Sequence, residues 1–245
     1  MNSFILALQF LTIIPVDKRV ELREKEFSQA LVYFPVVGLI LGLLLSAMAL
    51  ILLVRLDSFV VSCLIVTLLA VITGGLHLDG LADTFDALGS RKAKDEMLSI
   101  MRDSHIGTMG VVSLISVMLL KVGLLNALPC PQKIFALIMM CVASRFAMVA
   151  AMFLFPYARE HGKAKLFIDG ANKKIFLIVL SIAALFVFIA GFWLGLLYML
   201  VTVLVVCGFC RYITVKIGGI TGDVVGAVCE LSEVLFLLLV ALWGK

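Results

Sequence analysis

The sequence predicts an all-α fold, a polytopic integral membrane helical bundle of about seven transmembrane helices, in one domain over residues 1–245. Three observations lead there. Apolar residues make up 63% of the chain and charged residues 15%, with a mean hydropathy of +1.20; a soluble domain carries roughly 45–50% and 25%. Apolar runs of the ~20 residues needed to cross a bilayer recur along the chain. The loops between those runs are alternately rich and poor in lysine and arginine.

Residues 4–16 are apolar but too short to cross, and they end at Pro15, so they are expected to lie at the interface or enter partway. They lack a basic leader and a small-residue cleavage site, so no cleavable signal is predicted. The spans follow at about 31–54, 58–76, 106–128, 134–155, 175–190, 195–212 and 223–243. The run 175–210 is too long for one crossing and is interrupted at Gly191-Phe192-Trp193-Leu194-Gly195, which reads as a tight turn between two helices. Cys207 and Cys210 have redox or zinc spacing, but no second pair accompanies them and they sit in an apolar run. All six cysteines are expected to be small buried hydrophobes. A net charge of +4 with no basic stripe interleaved with aromatics argues against nucleic-acid binding.

Loop charge sets the orientation. One set of loops holds Lys18, Arg19, Arg23 and Lys25; Arg91, Lys92, Lys94 and Arg102; Arg159, Lys163, Lys165, Lys173 and Lys174; and Arg211 and Lys216. The other side holds Arg55, Lys133 and Lys245, so the count is 15 against 3, with Lys121 and Arg145 inside spans. The crowded side is therefore expected to be cytoplasmic. Every polar motif of the chain reaches that side.

The most informative motif is His77-Leu78-Asp79-Gly80-Leu81-Ala82-Asp83-Thr84-Phe85-Asp86. Asp79, Asp83 and Asp86 are spaced i, i+4, i+7 and share one helix face. Capping explains one or two aspartates near a helix start, but not three repelling charges in a row. A hard divalent cation offsets such repulsion and selects carboxylate oxygen. His77 suits a substrate contact or a supporting role better than a place in an oxygen-rich site. A second motif, Arg102-Asp103-Ser104-His105-Ile106-Gly107-Thr108-Met109-Gly110, reads either as a capped helix start or as a phosphate-approaching loop. A third, Thr221-Gly222-Asp223 through Gly226-Ala227 to Glu230, places two carboxylates on one face beside small packing residues. Arg145, within a span, is a candidate partner for such a carboxylate or for a diphosphate, and Glu233 is an equal candidate for its partner. Carboxylates, glycines and arginines together suggest phosphoryl chemistry.

At these residues the chain resembles the cobalamin synthase family, the adenosylcobinamide-GDP ribazoletransferases, over essentially its full length. The run Gly74-Gly75-Leu76-His77 through Asp86 is similar to the family's central motif. Arg102-Asp103 with Gly107 and Gly110, Tyr157-Ala158-Arg159-Glu160 with Gly162, Thr221-Gly222-Asp223 with Glu230, and Phe34-Pro35 with Gly38 and Gly42 are similar to its others. The resemblance implies a Mg²⁺-dependent membrane enzyme of the bacterial inner membrane. Its substrates would be adenosylcobinamide-GDP and α-ribazole or its 5′-phosphate, its products GMP and adenosylcobalamin or its phosphate. A ribose 3′-hydroxyl would attack the cobinamide-side phosphate.

The resemblance also implies roles. Asp79 and Asp83 would hold Mg²⁺, with Asp86 a third ligand or the base. Asp103 and Asp223 would complete the metal shell or share the base role. Arg102, Arg145 and Arg159 would offset diphosphate charge, His77 and His105 would meet substrate or its proton, and Thr221 and Glu230 would line the binding site. Partners would be the two substrates and the lipid bilayer; a homo-oligomer or docking of other corrin-pathway proteins stays open. CDP-alcohol phosphotransferases share a related acidic motif, but Ala82 is followed here by Asp83 where they carry arginine. An ion-coupled transporter would place its carboxylates nearer the midplane.

Overall fold

A computed structural model of the chain describes residues 2–15 and 24–243, without the side chains at 24, 25 and 163. Among the described residues the chain is helical throughout, with a single isolated bridge, Tyr157 to Ile220, and no strand. Lys18, Arg19, Arg23 and Lys245, part of the charge asymmetry, lie outside the described residues.

Helix α1 (Asn2–Leu11) is too short to cross a bilayer, as its apolar length predicts, and it stops four residues before Pro15. The backbone N–H of Ile13 donates to the carbonyl of Ile72, which fixes α1 beside a later turn. Helix α2 (Glu24–Ala30) leads through a 3-10 turn at Leu31–Tyr33 into α3 (Phe34–Leu52), which carries Pro35 in its first turn, where no backbone donor is lost. Asp57 caps α4 (Ser58–Ile72) by accepting from the N–H of Phe59 at 2.8 Å.

Gly74 and Gly75 then take φ of +63° and +68°, a region that costs glycine little. Helix α5 (Leu76–Ser90) consequently leaves α4 at 89° and does not prolong that crossing. Helix α6 (Lys94–Ile100) is short. Helices α7 (Thr108–Ala127) and α8 (Cys130–Leu154) follow, and α8 is the most enclosed element of the bundle. After α9 (Lys163–Gly170) comes a 45-residue helical run, α10 (Lys173–Ile217), and then α11 (Gly222–Trp243).

The predicted interruption of α10 is real. Phe192 adopts φ +50° and ψ −147°, which no helix accommodates. A side chain at Gly195 would meet the carbonyl oxygen of Val187 at 3.0 Å. Residues eight apart in a straight helix stand about 12 Å apart, so the chain doubles back there. By length and composition five helices are apolar enough to cross a membrane, six if the bent α4–α5 pair is counted as one.

The basic segments meet at one end of the bundle. The Ser28 hydroxyl donates to the carbonyl of Gly170, and the backbones of residues 156–158 and 220 pair. At the opposite end Lys133 donates to Ser58 at 2.6 Å and Ser46 to the carbonyl of Ile134. All six cysteines are free. Cys141, Cys210 and Cys229 are buried as predicted, but Cys63 and Cys207 are only half-buried and Cys130, at the start of α8, is exposed.

Candidate active site

The site forms where the ends of five segments converge. Helix α5 supplies Asp79 and Asp83, and its start packs directly on the start of α11. A methyl group on Gly80 would lie 2.6 Å from the carbonyl oxygen of Asp223 and 2.9 Å from its Cα. Only a residue without Cβ lets the two backbones approach so closely. Replacing Gly80 by Ala is therefore expected to push Asp223 away from Asp79 and Asp83. We expect turnover to fall by about 100-fold while the protein still inserts. Wild-type kcat/KM in the Ala variant would show that this spacing does not matter.

The loop after α8 is stitched to the loop before α11. Ala158 N–H donates to the Ile220 carbonyl at 2.9 Å, and Ile220 N–H to the Pro156 carbonyl at 2.8 Å. That stitch carries Arg159 to Asp223, where Nη2 meets Oδ2 at 2.9 Å. The Thr221 hydroxyl donates to the same oxygen at 3.2 Å and accepts from the N–H of Val224. Asp223 is thus held on two sides.

Asp83 experiences the opposite surroundings. Burial, then the neighbouring charges of Asp79, Asp223 and Asp86, push its carboxyl up to about 7 from the ordinary value near 3.8. Across the cleft Asp103 Oδ1 lies 2.6 Å from His105 Nδ1 and also accepts the N–H of His105. These hydrogen bonds hold the Asp103 carboxyl below the usual carboxylate range. An ionised carboxylate only accepts, so Nδ1 carries the proton in this pair and Nε2 of a neutral ring is left as an acceptor.

Three adjoining compartments share these residues as walls. An apolar recess of about 260 Å³ has Asp79, Arg159 and Asp223 at its edge. A polar cleft of about 400 Å³ is lined by Asp79, Asp83, Arg102, Asp103, His105 and Asp223. A wider basin of about 570 Å³ runs from Arg102 and Arg159 to Lys94 and His161.

The structure does not bring every predicted residue to these compartments. Asp86 shares the motif face, but its two oxygens accept the N–H groups of Gly107 and Gly110 at 2.7 Å each. It caps α7 and complements the positive end of that helix. Thr221 is fully buried against Asp223. Arg145 and Glu230 lie within the bundle, in a buried cluster that joins α7, α8 and α11. Arg145 is bonded to Glu233, and Lys121 reaches both Glu230, at 2.6 Å, and Glu233, at 2.5 Å. Ser144 donates to Glu233 as well. None of these three predicted substrate residues lines the compartments; they support them.

Sequence reasoning missed Lys121 as a member of this cluster. Its signal was available, because a lysine inside an apolar span needs a carboxylate of similar depth, and Glu230 and Glu233 supply two. The recess formed by Phe10, Met148 and Met152 carries no such signal, since it depends on how distant segments pack.

The carboxylates fit a divalent cation in part. The donor set is all oxygen, and Asp79 adds to the cost of charging Asp83; among the described residues Asp83 makes no ion pair, and Arg159, which eases its charge from a distance, is bonded to Asp223. Yet among the described residues no three histidine, cysteine or acidic side chains converge as a preformed cage. Asp79 and Asp83 could therefore contribute one or two carboxylate oxygens to a hard cation, and not a full coordination shell.

An apolar helical bundle with carboxylates and arginines gathered in a cleft at one end defines a polytopic membrane protein built to handle a phosphorylated substrate. The chain belongs to the cobalamin-5-phosphate synthase family, whose model it matches over residues 3–241. It is 37% identical to the adenosylcobinamide-GDP ribazoletransferase of Clostridium acetobutylicum, over 98% of this chain and 95% of that one. It is 38% identical to the protein of the same name from Geotalea daltonii, over 100% and 99%, and 37% identical to that from Klebsiella pneumoniae, over 97% and 98%. No solved structure matches the chain.

Proposed function

We propose that this chain is an adenosylcobinamide-GDP ribazoletransferase. It joins the adenosylcobinamide phosphate to the ribose of α-ribazole or its 5′-phosphate. The ribose 3′-oxygen forms a bond to the cobinamide-side phosphorus as the bond from that phosphorus to the GMP phosphate breaks. The hydroxyl proton passes to a base and GMP leaves with the bonding electrons. The observation that carries this reading is the placement of Asp79 and Asp223, which wall both the apolar recess and the polar cleft.

Asp79 and Asp83, with Asp223 nearby, are the residues that would hold Mg²⁺. Bound there, the ion would neutralise diphosphate oxygens as charge moves to the departing GMP. Arg102 and Arg159 flank the path of the diphosphate and lead into the basin, where Lys94 and His161 add donors for the guanosine half. His105, oriented by Asp103, has Nε2 free to take the hydroxyl proton. Asp86 holds the start of α7, and with it the 101–107 loop, in place.

The fold serves the reaction by keeping the site at one membrane face. Counting α10 as two crossings and α4 as one would make seven spans, and the charge asymmetry of the loops supports an orientation in which the site faces the cytoplasm at a bacterial inner membrane. In a variant freed of native cysteines, Trp193→Cys is expected to label in intact cells with an impermeant thiol reagent, and Ala93→Cys is not. Labelling of position 93 from outside would invert the orientation and separate the site from a cytoplasmic nucleotide.

The reaction itself is tested with purified protein, adenosylcobinamide-GDP, α-ribazole and Mg²⁺. GMP should appear in one-to-one ratio with adenosylcobalamin. Product only with a lipid alcohol as acceptor, or flux without product, would exclude the assignment.

A further inference from the structure

Apart from the compartments of the site, the basic end of the bundle carries a cleft of about 320 Å³, lined by Leu88, Arg91, Lys92, Met97, Tyr212 and Lys216. It lies between the end of α5, the middle of α6 and the last turns of α10. Its charge sets it apart. The polar cleft and the basin both have carboxylates in their walls, whereas this lining holds three cations and no acid. Lys92 is offset from outside the lining by Glu96, at 3.2 Å. Arg91 and Lys216 form no ion pair among the described residues. The Lys216 ammonium stands 5.6 Å from the centre of the Tyr212 ring, a contact that steadies it and leaves its charge available.

Two further observations bear on what the cleft holds. Arg91 takes φ +54° and ψ +25° as the C-cap of α5. Glycine or asparagine adopts that conformation with less strain than arginine, so the backbone gives no reason for a guanidinium there. The second observation is the flank of α10. Gly208 and Val205 stand one and two turns before Tyr212 on the same side of the helix. Val205 and Tyr212 are exposed, and a Cβ at Gly208 would meet nothing within 4 Å. An open apolar flank on a spanning helix thus ends in an aromatic ring and a lysine, the pattern of a side chain row that runs from hydrocarbon into the headgroup layer.

We infer that this cleft binds the headgroup of an anionic phospholipid, with the phosphodiester between Arg91 and Lys216 and an acyl chain along the open flank of α10. A guanidinium donates to two phosphate oxygens at once, and an ammonium adds a point charge. Basic pockets beside spanning helices take lipid headgroups in this way. A free phosphate or a nucleotide would use the two cations but neither the apolar side chains of Leu88 and Met97 nor the flank that leads away from Tyr212. The inference does not depend on which reaction the chain catalyses. It does touch the site, because Arg91 ends the helix that carries Asp79 and Asp83. A lipid held between Arg91 and Lys216 ties the far end of that helix to α10.

The test uses the full chain, purified in a neutral detergent and freed of native lipid. Native mass spectrometry follows the binding of phosphatidylglycerol, with phosphatidylcholine of the same acyl chains, inorganic phosphate and GMP as the other arms. Wild type should bind one phosphatidylglycerol more tightly than any phosphatidylcholine. Each cation near an anionic headgroup contributes roughly fivefold in affinity, so Arg91→Asn combined with Lys216→Gln should weaken that binding by about 30-fold. Lys216→Gln alone, which leaves the turn at Arg91 untouched, should weaken it about fivefold. Lys173→Gln with Lys174→Gln removes the same charge elsewhere at the basic end and should leave it unchanged. Without lipid the Arg91–Lys216 double variant should melt with wild type, since asparagine accepts the left-handed turn. Phosphatidylglycerol should raise the thermal midpoint of wild type and not that of the double variant. Equal binding of the two lipids by wild type, or equal weakening in both double variants, overturns the inference. Displacement of phosphatidylglycerol by inorganic phosphate or GMP overturns it as well and makes the cleft a site for free anions.

Discussion

Replacing Asp83 by Asn is expected to reduce turnover by at least about 100-fold, the scale of losing one group that stabilises charge in the transition state. The substitution is nearly isosteric, so insertion and packing should survive it. The carboxylate sits among like charges, with Asp79, Asp223 and Asp86 all raising its proton affinity after burial has done so. Folding therefore works against its ionisation. In the unfolded chain the group titrates near its ordinary value of 3.8, in the folded chain at about 7. Between those values the folded state binds a proton that the unfolded state does not, so stability falls as pH rises from about 4 to about 7. The Asn variant lacks that slope. In the presence of a chelator its thermal midpoint should match wild type at pH 4 and exceed it by a few degrees at pH 8. In the wild type, the Mg²⁺ concentration for half-maximal activity should fall as pH rises through 7, because the ionised form is the one that binds metal. Near-normal turnover in Asp83→Asn with an unchanged Mg²⁺ requirement would remove Asp83 from the metal site.

The second large effect is structural. Replacing Glu233 by Gln is expected to lower the thermal midpoint by about 10 °C or to prevent accumulation in the membrane. Glu233 answers both Arg145 and Lys121 inside the bundle, and Glu230 reaches only Lys121. The substitution leaves one positive charge buried without a counterion. Breaking one partner out of such a pair costs about 3–5 kcal/mol, and about 1 kcal/mol moves the midpoint of a chain this size by 2–4 °C. Adding Arg145→Met to Glu233→Gln restores neutrality, since Lys121 and Glu230 remain paired. The double variant should recover most of the loss. A single variant as stable as wild type would show that water or another group neutralises Arg145.

Much of the fold is legible in the sequence because apolar length and loop charge are local properties. The break at Phe192 lies within the predicted Gly191–Gly195 interval, and the start of α7 at Thr108 and of α11 at Gly222 fall within two residues of expectation. The site is legible only in part. Spacing puts Asp79, Asp83 and Asp86 on one face of α5, and it cannot say that the last of them is turned to the backbone of α7. The pairing of Asp103 with His105 spans two residues and could have been read from their proximity. That of Arg159 with Asp223 spans 64 residues and depends on the 156–158 and 220 stitch. Of the two roles open to Arg145, the structure shows the pairing with Glu233 that depth in a span predicts, and Glu230, expected at the substrate, joins the same buried cluster. Lys121, set aside as lying within a span, is the residue that redirects Glu230 inward.

The Lys121–Glu230–Glu233–Arg145 cluster also has a temporal aspect. Its two cations belong to α7 and α8, its two anions to the last helix. Lys121 and Glu233 are 112 residues apart. At synthesis rates of roughly 5–20 residues per second, the cations wait on the order of ten seconds before their counterions have been translated. Throughout that interval the growing chain carries two uncompensated charges among its apolar segments, and arrival of α11 discharges them. A chain cut short before α11 would lack both carboxylates and keep Lys121 and Arg145 uncompensated, so closure of the bundle waits on its last helix.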